Sequence, residues 1–288
     1  MLKNVVIDAI DTDGNTPLHY VASSENPQGI LDLAKDGCKI NAMSKAGDTA
    51  LHYAASQGHA KNVEALMLAG ANPHITNVTG QTPLHLASQE GKTNAVEALL
   101  RNPELRKLVD NVDKRHNNTA LHHAALNGHE NTVKFLIGSG ADKDAKDKHG
   151  NTALHLAVIL DKVDIIETLL KLKADPNLQN IHGNTPLHIA ILKDNRESVR
   201  ALNNANTNVN IENKNGETAI DIANKIEDES NRDTITGLLS GSNRIKIEGL
   251  LNPASESKRR LDADPGSEGP LKAARADKLD RSGARSLG

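Results

Sequence analysis

The feature that most constrains the fold of this chain is a six-residue string that returns at a nearly constant interval. The string runs Gly or Asn, a polar residue, Thr, Pro or Ala, Leu and His, as in Gly14–His19 and Gly150–His155. The threonines of successive copies stand at 16, 49, 82, 119, 152, 185 and 218, so five of the spacings are 33 and one is 37. Tandem units of this length bury their apolar sides against their neighbours and stack into a solenoid. We interpret the one long spacing as a four-residue insertion within 101–109.

Each period predicts a pair of short helices, and the string marks the start of the first. Thr is a preferred N-cap residue, and the Pro that follows it in three copies suits the first helical position. The His stands three residues after the Thr, where a capping box normally has Glu or Gln, so its imidazole can bond back to the Thr. In the seventh copy Asp221 takes this place. The six pairs are Thr16 with His19, Thr49 with His52, Thr82 with His85, Thr119 with His122, Thr152 with His155, and Thr185 with His188.

The rest of each period predicts how the two helices end. Gly58, in the second copy, is typical of a left-handed helix end, and Gly70 follows a second helix in the same way. Between them, Val63 and Leu66 begin an apolar i, i+3, i+4 pattern that recurs in later copies and indicates one buried helix face. A polar connector with a tight turn then leads to the next string.

With these residues in view, the chain resembles the ankyrin repeat family over about 4–240, with seven repeats in phase. The resemblance implies an all-α fold, in which helix–turn–helix units stack into a solenoid with protruding hairpin fingers and a concave face. It also implies a non-catalytic scaffold that binds another protein and needs no cofactor. We predict an ankyrin repeat domain at 1–240 and expect a monomer.

The composition changes after residue 240. Residues 241–288 contain ten Lys or Arg and seven Asp or Glu, which gives a net charge near +3. Gly, Ser and Pro are scattered without a period, so we predict a charged and mostly disordered tail. A segment at 244–251 is a candidate cap on the last repeat. Lys258-Arg259-Arg260 reads as a solvated charge run, with a nuclear or anionic-surface signal as the alternative.

Charge and composition exclude several classes of protein. The formal net charge is −3, with 37 acidic and 34 basic residues, so the overall charge of the chain does not favour binding to nucleic acid. The chain has three aromatic residues, too few for a base-stacking platform. No stretch approaches the length of a membrane span, the start does not read as a secretory signal, and one cysteine excludes an intrachain disulfide. We therefore expect an intracellular, cytoplasmic protein.

Catalytic and metal-binding patterns are missing from the sequence. None of the common protease, hydrolase or phosphate-binding motifs occurs, and the six motif histidines lie one repeat apart, too far to share one zinc ion. His59 and His129 follow helix-ending glycines and are expected to be structural. Cys38 is expected to be an inert thiol. We therefore predict no catalytic residue, no metal site and no enzyme.

The candidate partner surface lies on repeats four to six. Seven residues after each Thr the chain has polar residues in repeats one to three, and then Leu126, Ile159 and Leu192, with Leu160 beside them. We predict an exposed apolar stripe there; the alternative is that these residues pack inside. The finger tips of the same repeats are basic and would suit an amphipathic partner with acidic flanks. These tip residues are Lys114, Arg115, His116, Lys148, His149, His182 and Lys214.

The sequence thus predicts a protein–protein interaction scaffold, and it leaves alternatives open. One is a targeting or regulatory subunit of an enzyme. Another is an effector of an intracellular bacterium with an export signal in its C-terminal tail, which makes secretion into a host the alternative to a cytoplasmic location. Nucleic-acid binding is disfavoured by the acidic repeat region, which carries 24 basic and 30 acidic residues before residue 241.

Overall fold

The computed structural model describes residues 7–205 and 207–251, and within these residues it contains helices and turns but no strand. Helices occur in pairs, one pair per repeat, as the string predicts. The first helices of the repeats are α1 (Pro17–Ala22), α3 (Ala50–Gln57), α5 (Pro83–Gln89), α7 (Ala120–Asn127), α9 (Ala153–Ile159), α11 (Pro186–Leu192) and α13 (Ala219–Ala223). The second helices are α2 (Pro27–Lys35), α4 (Ala60–Leu68), α6 (Thr93–Leu100), α8 (Glu130–Gly138), α10 (Val163–Lys171), α12 (Arg196–Asn203) and α14 (Glu229–Leu251).

The first helices pack against one another in chain order, and so do the second helices, which makes one continuous apolar core along the repeats. Small side chains allow the close approach, since Ala54, Ala87 and Ala157 are completely buried between neighbouring helices. The second helices supply larger groups such as Leu66 and Leu169, which are also buried. Each repeat therefore gains its core from the repeats on either side.

The connectors form fingers that are joined to one another by backbone hydrogen bonds. The amide of Lys45 donates to the carbonyl of Asp13 at 2.8 Å, and one repeat later the amide of Val78 donates to Ala46 at 3.0 Å. The same bond continues to Lys214, which donates to His182 at 3.1 Å. We call the surface formed by the first helices and the finger tips the inner face.

The position of the insertion differs in part from the prediction. The added residues before the fourth finger form a 3-10 helix at Pro103–Leu108, inside the predicted range. One added residue lies instead at the finger tip, because the turn-closing bond spans five residues in the fourth finger (Asp113 N–H to Asn118 O) and four in the third (Asn77 to Gln81). Asn117 closes this longer tip with a φ of 55°, where other fingers use glycine.

The chain divides into two units, 1–242 and 243–288. The last repeat of the first unit buries Ile235 and Leu239, which keep the apolar i, i+4 spacing of the earlier second helices. In the second unit the backbone of 243–251 is helical. This stretch includes the candidate cap at 244–251, whose role as a cap stays a prediction. The predicted disorder of the tail and the Lys258-Arg259-Arg260 run concern residues outside the described ones. Among the described helices, none has both the length and the apolar composition needed to cross a membrane.

Candidate functional site

The motif histidines join each repeat to the next. In the first repeat the Nδ1 atom of His19 accepts a hydrogen bond from the Thr16 amide at 3.0 Å, and its Nε2 atom lies 3.1 Å from the Asp48 carbonyl oxygen of the second repeat. The same pair of contacts recurs at the other five motif histidines. Their Nε2 atoms contact the carbonyl oxygens of Gln81, Asn118, Asn151, Asn184 and Glu217.

This geometry fixes the charge state of the histidines. Because Nδ1 accepts from an amide, the single proton of the neutral ring sits on Nε2 and is donated to the next repeat. Burial lowers the pKa of all six, to about 4 for His85 and His155, where the rings are almost fully enclosed. These groups hold the solenoid together and are neutral at neutral pH.

The remaining chemistry-bearing groups do not assemble a reaction centre. His59 and His129 contact the carbonyl oxygens of Ser23 and Gln89 in the preceding repeats, at 3.0 and 2.8 Å. Cys38 is buried, and that burial raises the pKa of its thiol. In the part of the chain that the structure describes, no three His, Cys, Asp or Glu side chains come together in a way that suits a metal ion.

An open cleft of about 730 Å³ lies on the inner face, between the fingers and first helices of repeats three to five. Leu126, Leu156 and Leu160 supply apolar side chains from α7, α9 and the end of α9. Arg115 and His149 line it from the fourth and fifth fingers. The cleft therefore offers apolar contact beside the exposed cation of Arg115, whereas the two carboxylates in its lining, Asp113 and Asp147, are buried.

A buried acid–base pair supports one wall of this cleft. The Nε2 atom of His123 donates to Asp113 Oδ2 at 2.9 Å, and both side chains are buried. Burial lowers the pKa of His123, while Asp113 counteracts part of that shift. Burial opposes ionisation of Asp113, but hydrogen bonds from the His116 and Asn118 amides and from His123 outweigh it and lower its pKa. A neutral imidazole thus donates to a carboxylate that also organises the fourth finger tip.

The four apolar residues of the predicted stripe are not equally available. Leu160 and Leu192 are 47% and 59% exposed. Leu126 is half-buried and lines the cleft. Ile159 is half-buried and packs against the core, so this residue follows the alternative interpretation. The accessible apolar surface therefore depends on Leu126, Leu160 and Leu192.

The predicted basic tips are mostly exposed, and two adjacent tips are joined. Lys148 Nζ donates to the Arg115 carbonyl oxygen at 2.8 Å. His116 is half-buried and lines the cleft. Exposed tip residues are Lys114, Arg115, Lys148, His149, His182 and Lys214.

Asp113, His123 and Leu156 are among the cleft residues that sequence reasoning missed. His123 and Leu156 stand four residues after the motif Thr, a position whose side chain bonds to a finger in repeats one, two and four. The residues at this position change from Tyr20 and Tyr53 at one end to Ile189 and Ile222 at the other. Comparing this second position across repeats would have revealed both.

The comparisons with known proteins agree with this architecture. Family models described as ankyrin repeats match residues 1–77, 26–107, 51–147, 105–180 and 169–223. The chain belongs to the ankyrin repeat family. No curated protein matches its sequence significantly.

Two solved structures illustrate the likeness of this ankyrin repeat protein to known folds. The ankyrin repeat domain of Bcl-3, described as a unique member of the IkappaB protein family, is 28% identical, with a TM-score of 0.71, over 78% of this chain and 100% of that one. The human ASB11 ankyrin repeat domain is 24% identical, with a TM-score of 0.64, over 78% of this chain and 98% of that one. Ankyrin repeat domains are generally protein–protein interaction modules, which fits a site built for binding.

Proposed function

We propose that this protein is a non-catalytic, monomeric interaction scaffold that binds another protein on the inner face and finger tips of repeats four to six. The observation that carries the proposal is the cleft in which Leu126 and Leu160 lie beside the basic side chain of Arg115. An exposed apolar area of this kind is a common mark of an interface. The buried free thiol of Cys38 supports an intracellular, reducing setting.

Charge defines the kind of partner that fits. Among the described residues, Lys114, Arg115, Lys148 and Lys214 lie outside ion-pair distance of any carboxylate. A partner segment with leucine-like side chains for the cleft and carboxylates at its flanks would satisfy both features. A typical interface of ~800 Å² on each side would extend beyond the cleft to Leu192.

The test uses a labelled amphipathic peptide with leucines on one face and glutamates at both ends, measured by fluorescence anisotropy. Replacing Leu160 and Leu192 together with serine removes exposed apolar contacts, and we expect roughly tenfold weaker binding, at about 1.4 kcal/mol per factor of ten. Ile159 is left intact because it packs against the core, so a change there would test folding.

The matched control is Leu68→Ser. Leu68 is 83% exposed at the end of α4, on a second helix away from the cleft. It should leave the affinity unchanged. Equal affinity of the Leu160/Leu192 variant and the wild type, with both proteins folded, would refute this site. Binding of a nucleic acid with steep salt dependence would instead favour nucleic-acid binding as the function, the alternative that the negative charge of the repeats disfavours.

A further inference from the structure

Two of the three aromatic residues of this chain occupy equivalent positions on neighbouring first helices. Tyr20 and Tyr53 each stand four residues after a motif Thr. Tyr20 is 60% exposed, so packing of the core does not explain why an aromatic ring stands at this position. Tyrosine is among the residues that are enriched where proteins meet. The inner face of repeats one and two therefore needs an explanation separate from that of the cleft of repeats three to five.

A hydrogen-bond network holds both rings to the first finger. The Tyr20 hydroxyl donates to the Asp11 carboxylate, which also accepts from Asn15 Nδ2 at 3.2 Å. Asn15 Oδ1 in turn accepts from the Tyr53 hydroxyl at 2.8 Å. The Tyr53 ring also packs edge-on against His19, with centroids 5.4 Å apart. The two rings are thus fixed before any partner arrives, which lowers the entropy lost on binding.

The surroundings of the tyrosines are negative. Hydrogen bonds from the Tyr20 hydroxyl and the Asn15 amide hold the pKa of Asp11 down at about 2, so this carboxylate is charged at neutral pH. Burial raises the pKa of Tyr53, and the neighbouring charges of Asp48, Asp11 and Asp13 raise it further. A phenol that donates to a carboxylate keeps an electron-rich ring, which attracts a cation to its face.

Two exposed apolar side chains stand directly before the first two fingers in the chain. Ile10, next to Asp11, is 71% exposed, and Met43, one repeat later on the adjoining finger, is 51% exposed. We name Ile10, Asp11, Tyr20, Met43 and Tyr53 the tyrosine patch. The nearest basic tip, Lys45, is exposed, and among the described residues it forms no ion pair with a carboxylate.

We propose that the tyrosine patch is a second recognition surface, and that it binds a basic segment of a partner protein through an arginine side chain. The guanidinium would stack on Tyr20 and pair with the exposed carboxylate of Asp13, while an adjacent apolar residue would contact Ile10 and Met43. The Asp11 carboxylate already accepts from the Asp13 and Asn15 amides, from Asn15 Nδ2 and from Tyr20, so it adds negative charge to the patch and not a further hydrogen bond. Arginine suits this patch because its planar group stacks on aromatic rings and hydrogen-bonds to carboxylates at once. The negative charge of the patch excludes nucleic acid as its ligand. This proposal stands independently of the cleft on repeats three to five.

The experiment uses the full chain and a labelled peptide of alternating arginine and leucine, with a peptide that carries neutral citrulline in place of arginine as the matched probe. We expect weak, salt-sensitive binding of the arginine peptide and less binding of its citrulline counterpart. Tyr20→Ser should reduce the affinity about two- to fivefold, whereas Tyr20→Phe keeps the ring and should retain most of it. Because Tyr20 is exposed, both variants should remain folded, which circular dichroism checks.

Three results would overturn the proposal. One is no binding of the arginine peptide, or equal binding of the citrulline peptide. Another is an affinity that survives Tyr20→Ser but falls with the Leu160/Leu192 serine variant, which would assign the peptide to the cleft. The third is binding that appears only after Lys258, Arg259 and Arg260 are replaced by serine, which would make the chain's own basic run the occupant.

Discussion

Repeats one and two present tyrosines and carboxylates on the inner face, whereas repeats four to six present leucines beside basic finger tips. Both regions are built on the same frame, since His19 and His155 each join a Thr amide to the carbonyl of the following repeat. The difference lies in the residues four and seven places after the Thr and in the tips. Periodic positions thus maintain the solenoid, and the remaining positions are free to define what each region binds.

The comparison rests on a frame common to both regions, and acid should weaken that frame throughout. Unfolded histidines bind protons at a pKa near 6.5, whereas His85 and His155 stay neutral down to about 4 in the folded protein. The unfolded state therefore binds more protons in this window. The free energy of unfolding has its full value above about pH 6.5 and falls as the pH drops toward about 4. We expect a loss of about 3 kcal/mol for each of these two residues.

Denaturant unfolding across this pH window measures the loss, and ring-proton NMR titration assigns it to residues. The NMR experiment should show depressed pKa values for motif histidines of both regions, His19 and His52 as well as His122 and His155. A normal midpoint in one region only would break the claim that the two regions share one frame.

A second test places the same substitution in each region. His52→Ala and His155→Ala both remove a buried ring. Each leaves a Thr amide without its acceptor and takes one of two donors from a carbonyl of the next repeat, so each should cost about 2–4 kcal/mol of unfolding free energy. The expected near-equality sharpens the comparison, because it would show that the regions differ in surface and agree in frame.

The control for this pair is Asp221→Ala in the last repeat. Asp221 bonds to the Thr218 amide at 2.9 Å but is exposed and lacks a ring that could reach a further repeat. Its loss should be clearly smaller. An Asp221 variant as unstable as the two histidine variants would mean that the cap within each repeat, and not the bond between repeats, is what matters.

The shared frame is also the part of the molecule that the sequence predicted well. Equivalent positions in successive repeats have the same surroundings. An interpretation made for one Thr and His pair therefore applies to all six pairs. The all-α solenoid, the helix pairs and the glycine ends follow from this, and Gly58 and Gly70 adopt the expected φ values of 83° and 89°.

The site was harder to predict because its residues depart from the period. Ile159 stands in register with Leu126 and Leu192, yet it packs against the core. The added residue in the fourth finger tip was placed too early in the chain, since spacing alone cannot distinguish a longer helix connection from a longer turn. The pairing of Asp113 with His123 joins a finger to a helix, and no local pattern announces such a contact.

The smallest effect we predict concerns this pair, which exists only at the cleft. Asp113→Asn would preserve an oxygen for the finger amides but would place an NH₂ group against the Nε2 atom of His123. The imidazole then loses its anionic acceptor and must move its proton to Nδ1. We expect a cost of about 1–2 kcal/mol in the free energy of unfolding. Asn77 and Asn180 occupy the same position in other fingers, so the amide itself suits this turn and the cost arises from His123. The matched control makes the same Asp113→Asn change in a His123→Leu background, because leucine stands at this position in the fifth repeat and offers no ring nitrogen. Equal losses in the two backgrounds, measured by denaturant unfolding, would show that the fourth finger needs no histidine, and the cleft wall would then be part of the common frame.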